Sequence, residues 1–459
     1  MPALPDQQLS TELAARMSRL PITPVHRRAV AAVGVGLFFD IYEIFLAGTI
    51  SSVLVAQFNL SKAALPYILG STFIGMFAGA VVLGRLADKI GRRRAFLFNI
   101  ALYSVASVVG AFAPGPVFLM IARFVAGVGI GAEYPLGDTY LSDLLPAKDR
   151  GRVATWAYTI SFLGVPVVGF LALWLAPHAP LGIAGWRWIF VLGGIGGVIV
   201  MLLRRGLPES PRWLASQGRM AEAEQVVVDF EREAGLEGRA LDGTESGIES
   251  VAPLPLRTLG RQPYLKRMIM LVVFQLLQGF GYYGFGTLAG TVLVARGYTV
   301  TQSLLYIALT YLGYPIGSLI STPIIARLER KFVIIGSAVV MIIFGLGFAI
   351  SGTPVLIVAF GFLTTVASNV FSNGFHIYQA EIFPTSLRST AVGSTYSLSR
   401  LMSGLQSFIL IPILDAAGAP TMFSVVGVLM LILVLNIAVL GPRTAGRGVE
   451  EINPLPAAG

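Results

Sequence analysis

A few ionisable residues interrupt stretches that are otherwise too apolar to face water. Asp40 and Glu43 lie in the run 29–57, Arg123 and Glu133 in the run 116–140, and Arg400 in the run 389–414. Asp40 and Glu43 are three positions apart, which on a helix puts both carboxyls on one face. Two ionised carboxylates side by side away from water repel each other and are costly, so at least one is expected to take up and release a proton near neutral pH. A carboxyl that does so is what proton coupling requires. Arg123 needs an anionic partner, and Asp40 or Glu43 is the natural choice. Glu133 is a further proton-exchange candidate, its other reading being a structural acid that lines a pore.

Arg400 suggests different chemistry. Few acids share its depth, since Glu381 and Asp415 fall near the ends of their runs. An unpaired guanidinium in a central cavity is a clamp for carboxylate or phosphate, because its planar fork matches two oxygens. Pairing with Asp40 or Glu133 is the alternative. Gln275, Gln278 and Tyr282 follow i, i+3, i+7, and Asn369, Asn373 and His376 follow i, i+4, i+7, so each set makes one polar stripe on a helix. With Tyr42, Tyr283, Tyr311 and Tyr314 they are candidates to line a solute cavity. For any one of them, plain hydrogen bonding between helices is the competing reading.

The rest of the chain must place these groups in a membrane. Of 459 residues, 55% are hydrophobic and 12% charged, with a mean hydropathy of +0.76. A soluble domain carries about 25% charged residues, so most of this surface faces lipid. Runs long enough to cross a bilayer fall near 29–57, 65–87, 95–113, 116–140, 152–176 and 186–203, then 267–294, 302–326, 332–351, 354–380, 389–414 and 420–441. The expected fold is an all-α membrane protein with twelve transmembrane helices in two six-helix bundles. Its segments are an N-terminal stretch 1–28, a bundle 29–203, a linker 204–266 with a short amphipathic helix near Ala221 to Glu233, a bundle 267–441 and a tail 442–459.

The net charge of +9 is distributed as a topology signal, not as a nucleic-acid patch. Arg27, Arg28, the stretch Arg85 to Arg94, Lys148 to Arg152, Arg204, Arg205, Arg327 to Lys331 and Arg443 all fall on one side. The opposite loops hold little beyond Lys62 and Arg296. Both termini are therefore expected in the cytoplasm, with a bacterial inner membrane as the simplest location. Residues 1–28 lack the apolar core of a signal peptide. With no cysteine and three scattered histidines (His26, His178, His376), the sequence offers no metal cluster, no cysteine nucleophile and no Ser/His/acid set. No enzyme activity and no cofactor are expected.

The two halves repeat each other. Tyr140, Asp143, Pro146 and Arg150 close the fourth run, and Tyr378, Glu381, Pro384 and Arg388 close the tenth with the same spacing. Gly84-Arg-Leu-Ala-Asp88-Lys-Ile-Gly91-Arg92-Arg93 after the second run has a weaker echo at Ala326 to Lys331. Duplicated halves that rock about a central site are what alternating access needs. Asp88, Arg92, Asp143, Arg150, Glu209, Arg212, Glu381 and Arg388, with Gly84 and Gly91 framing the loop, are read as a cytoplasmic latch whose ion pairs close the inner mouth.

The Gly84 to Arg93 loop resembles the signature of the major facilitator superfamily. Pro208-Glu-Ser-Pro-Arg-Trp-Leu214 and the repeated Tyr-to-Arg endings resemble its sugar-porter and organic-ion branch. Asp40-Ile-Tyr-Glu43 is similar to the first span of proton-coupled aromatic-acid and phosphate symporters, and Gly131-Ala-Glu133-Tyr-Pro135 to the phosphate symporters. Gln275 to Tyr283 is similar to the seventh span of sugar porters, but Gly281 stands where those carry a sugar-binding Asn. Tyr378 to Thr385 resembles organic-ion and niacin transporters. The resemblance implies the major facilitator fold and a proton switch in which Glu43 pairs with Arg123. The expected function is proton-coupled symport of a small organic anion, a carboxylate with aromatic acids among the candidates, by a monomer. The alternatives are a proton-coupled sugar or polyol porter and a non-transporting receptor on the same fold.

Overall fold

A computed structural model of the chain describes residues 12–13, 15–61, 63–146, 148, 150–236, 255–445 and 452–453. Its described part is almost entirely helical. The first span is Pro24–Thr49, continued by Ser51–Phe58. Its start is fixed by Thr23, which exchanges side-chain and backbone hydrogen bonds with His26, and by Pro24 in the first turn. The second and third spans are Leu65–Ile90 and Arg92–Ala111. Gly91 between them has φ +99°, and a side chain there would meet the Glu209 carboxylate, so glycine is required on both counts. The fourth span is Pro116–Gly131 with Glu133–Leu144, the fifth Arg150–Phe162 with Gly164–Leu175, and the sixth Gly185–Arg205.

The second bundle runs Tyr264–Ala295, Val300–Tyr311 with Gly313–Arg327, Arg330–Ile350 and Pro354–Glu381. Its last two spans lie in Thr385–Leu440, two helices divided at the non-helical Gly418 (φ +79°), two residues before Pro420. Among the described residues, eleven helical stretches are long and apolar enough to cross a membrane, and the last of them holds two spans. The connection between runs eleven and twelve is a tight turn at Gly418, whose positive φ interrupts the helix where only glycine sits without strain.

Small residues set the helix spacing. Gly75 and Gly79 lie against the Phe124 and Val128 carbonyls, and Gly127 and Gly131 against those of Thr72 and Met76, so the second and fourth spans touch backbone to backbone. Gly127→Ala is expected to destabilise the protein by about 1–3 kcal/mol, because the added methyl must displace a carbonyl. The measurement is the melting temperature in detergent. Gly84→Ala, whose methyl would meet nothing within 4 Å, is the control and should not lower it.

The described linker residues and both described chain ends share one face of the bundles, here termed the linker face, with Arg16 bonded to the linker helix and Asn453 to Arg267 at the start of the seventh span. On the far face the two bundles are sealed together. Gly48 abuts the Thr287 backbone, Ser51 and Thr291 share a hydrogen bond of 3.1 Å, and Tyr67 meets Phe408 edge-on at 4.9 Å. Toward the linker face, Asp138 on the fourth span and His376 on the tenth are solvent-exposed. Each bundle thus exposes an ionisable side chain toward that face. The linker helix, Met220–Glu233, buries Ala223, Val227 and Phe230 against the base of the first bundle, with Phe230 packed 4.7 Å from His26. Arg16 ties it down through Glu224 at 2.6 Å and Glu231 at 2.7 Å.

Candidate functional site

Two ion pairs are enclosed in the first bundle. Arg123 bonds Glu43 through Nη1 and Oε2 at 2.5 Å, and Ser107 donates to the other carboxylate oxygen at 2.5 Å. Arg123 Nε reaches Thr72 at 3.1 Å, so the guanidinium is held from spans one and two at once. The second pair joins Glu133 to Arg204, whose Nε donates to the Ala32 carbonyl at 3.3 Å and whose plane lies 4.2 Å over the Phe96 ring. This corrects the reading of Arg204 as a loop charge. The sixth span extends through Arg205, and Gly36, which has no side chain, leaves room for the guanidinium against the first span. Arg204 is 1% exposed.

Asp40 lies in the same enclosure, fully buried, with neither carboxyl oxygen hydrogen-bonded. Three carboxyls (Asp40, Glu43, Glu133) thus face two guanidiniums (Arg123, Arg204), none more than 1% exposed. The set is neutral when it holds one proton. Glu43 and Glu133 each have a guanidinium partner, which leaves Asp40 as the acid without a counter-charge.

The second bundle carries a lone cation. Arg400, 3% exposed, donates to the hydroxyls of Tyr283 and Tyr396 and has no partner for Nε. Its guanidinium lies 5.2 Å and 4.7 Å from the centres of the same two rings. Among the described residues no acid pairs with it. Tyr396 was not singled out from the sequence, although an aromatic four residues before Arg400 shares its helix face.

The other candidate residues divide into a group beside Arg400 and a group that ties helices together. Tyr282 and Tyr283 pack edge-on at 4.7 Å beside Arg400. Gln278 donates to Gln275, which reaches Gln379 on the tenth span at 3.5 Å. Asn369 instead donates to the Tyr314 carbonyl at 2.7 Å and Asn373 to Ser321 at 2.8 Å, both tying the tenth span to the eighth. Tyr42 donates to the Ile189 carbonyl at 2.7 Å and Tyr311 to that of Gly286 at 2.5 Å. Their hydroxyls are occupied by backbone. Gly281 faces Met430 on the last span.

At the linker face, Asp143 accepts from Ser210 at 2.6 Å and lies 4.0 Å from Arg92 and 3.9 Å from Arg212. Glu209 accepts from the Arg93 backbone at 3.1 Å, next to Gly91. Arg330 pairs with Glu381 at 3.3 Å. Each contact stays within one bundle or ties it to the start of the linker. Gly84 lies near the end of the second span and Arg388 near the start of the eleventh, while the side chains of Asp88 and Arg150 lie outside those described. The repeated tyrosines do equivalent work: Tyr140 donates to the Pro208 carbonyl at 2.7 Å and Tyr378 to that of Pro442 at 2.8 Å, each holding the chain that leaves its bundle.

The sugar (and other) transporter family matches residues 29–455. The chain belongs to that family, within the major facilitator superfamily. It is a multi-pass membrane transporter and not an enzyme. Among its relatives, the putative metabolite transport protein YyaJ of Bacillus subtilis is 30% identical, covering 95% of this chain and 96% of its own. The niacin transporter NiaP of Acinetobacter baylyi is 29% identical over 96% and 99%. The xylose transporter XylE of E. coli, solved in a partially occluded inward-open conformation, superposes with a TM-score of 0.71 over 92% of this transporter and 99% of that chain, at 20% identity. That likeness confirms the twelve-helix fold.

Proposed function

We propose that this transporter is a proton-coupled symporter of a small organic anion, a carboxylate and preferentially an aromatic one. The observation that carries the reading is Arg400. A guanidinium buried at mid-span without an acidic partner is costly, and an anionic solute relieves that cost while using the free Nε edge. The tyrosines around it offer ring faces to a flat solute. Niacin, the solute in the name of the Acinetobacter relative, is a ring carboxylate of this kind. Asp40 carries the coupled proton, since an ionised carboxyl with no bonded oxygen is far costlier to enclose than the neutral acid. The linker face is cytoplasmic, in a bacterial inner membrane, and one chain suffices because each bundle supplies its own half of the site.

A thermal-shift screen of purified protein in detergent tests this reading, with benzoate, nicotinate, phosphate and xylose as ligands. A ligand that binds only the folded state adds about 2.7 kcal/mol at a hundredfold excess over its dissociation constant. Carboxylates are expected to raise the melting temperature, and Arg400→Ala should weaken them at least about tenfold. Stabilisation by xylose alone, unaltered in Arg400→Ala, would overturn the anion reading in favour of a sugar site near Gln275 and Gln278.

A further inference from the structure

Asp138 has no structural employment. It is solvent-exposed on the fourth span and makes no hydrogen bond or ion pair with any described residue. An ionised carboxyl turned to lipid is costly, so such a residue faces water or a ligand. The surroundings identify the direction. Asp138 lies within electrostatic reach of the Tyr396 hydroxyl, which accepts from Arg400 on the eleventh span of the other bundle. One helical turn before it, on the same face, Tyr134 stacks on Tyr158 with ring centres 6.3 Å apart and planes within 17°. The Tyr134 hydroxyl in turn lies within electrostatic reach of Tyr283 and Tyr396. The cavity thus has a cationic pole on one bundle, an anionic pole on the other and aromatic walls along it.

We propose that Asp138 is the second pole of the substrate site and accepts a hydrogen bond from a donor at the far end of the aromatic carboxylate held by Arg400. This rests on the anion-clamp reading and narrows it. The substrate class becomes an aromatic acid with a hydroxyl or a protonated nitrogen across the ring from its carboxylate. A simple benzoate fills one pole and leaves Asp138 to water. A solute seated on both poles also draws the two bundles together, because each pole belongs to a different one.

Dissociation constants of benzoate, 3-hydroxybenzoate, 4-hydroxybenzoate and 4-methoxybenzoate, measured on the full chain in detergent, test the assignment. A hydroxybenzoate is expected to bind about tenfold tighter than either benzoate or the methoxy acid, which keeps the oxygen but has a methyl in place of the donor hydrogen. In Asp138→Ala the ratio should fall to near one. Asp138→Asn, which retains an acceptor of the same shape, should keep part of the preference, so lost folding cannot imitate the result. Equal binding of hydroxy and methoxy acids to the wild type, or a preference that survives Asp138→Ala, overturns the role of Asp138 and leaves the Arg400 clamp standing. Failure of every carboxylate to bind removes both readings together.

Discussion

Asp40→Asn is expected to abolish accumulation driven by a proton gradient while leaving exchange of substrate for substrate intact. The asparagine keeps the shape of the neutral acid, so the enclosed set of charges stays balanced with Glu43 on Arg123 and Glu133 on Arg204. A loaded carrier can still reorient. What it cannot do is release a proton on one side and collect it on the other. One pH unit is worth about 1.4 kcal/mol, enough to hold about a tenfold substrate gradient at one proton per substrate. In proteoliposomes with an imposed pH difference, the wild type should approach that ratio and the variant should stay near one, with counterflow preserved in both. Accumulation that survives Asp40→Asn but is lost in Glu43→Gln would assign coupling to the Glu43–Arg123 pair. Survival in both would remove the proton site from the first span.

The parts of this design that depend on composition and motif were legible in the sequence. Apolar length marked the spans, and the midspan position of Glu43 and Arg123 made their pairing a short list of two. What could not be read was the rotation of each helix. In a span that is apolar all round, periodicity gives no inward direction, because lipid accepts the same residues as the bundle core. Tyr42 and Tyr311 therefore looked like cavity groups, and only the packed structure turns their hydroxyls to the Ile189 and Gly286 carbonyls. Arg204 was hidden for a related reason. An arginine at the end of an apolar run is ordinarily a loop charge, and its burial depends on Glu133 and Gly36, two spans that the local sequence does not mention. Asp138 and Tyr396 were passed over because their meaning lies in what stands across the cavity.

Arg204→Leu should be among the most destabilising single substitutions in the protein, lowering stability by about 3–5 kcal/mol, because it leaves the Glu133 carboxylate enclosed without its counter-charge. Glu133→Gln in the same chain should restore most of the loss, since the remaining groups are neutral and nearly the same size. Thermal unfolding of the two single variants and the double variant in detergent gives the interaction energy directly. The double variant also separates architecture from coupling. It removes one acid and one base, leaving Asp40 and Glu43 against Arg123, a set that is again neutral with one proton. If the Glu133–Arg204 pair only braces the first, fourth and sixth spans, the double variant should still accumulate substrate on a pH gradient. Exchange without accumulation in a stably folded double variant would place Glu133 in the proton path beside Asp40. That outcome would also mean that neutrality of the enclosed charges is not by itself enough for coupling.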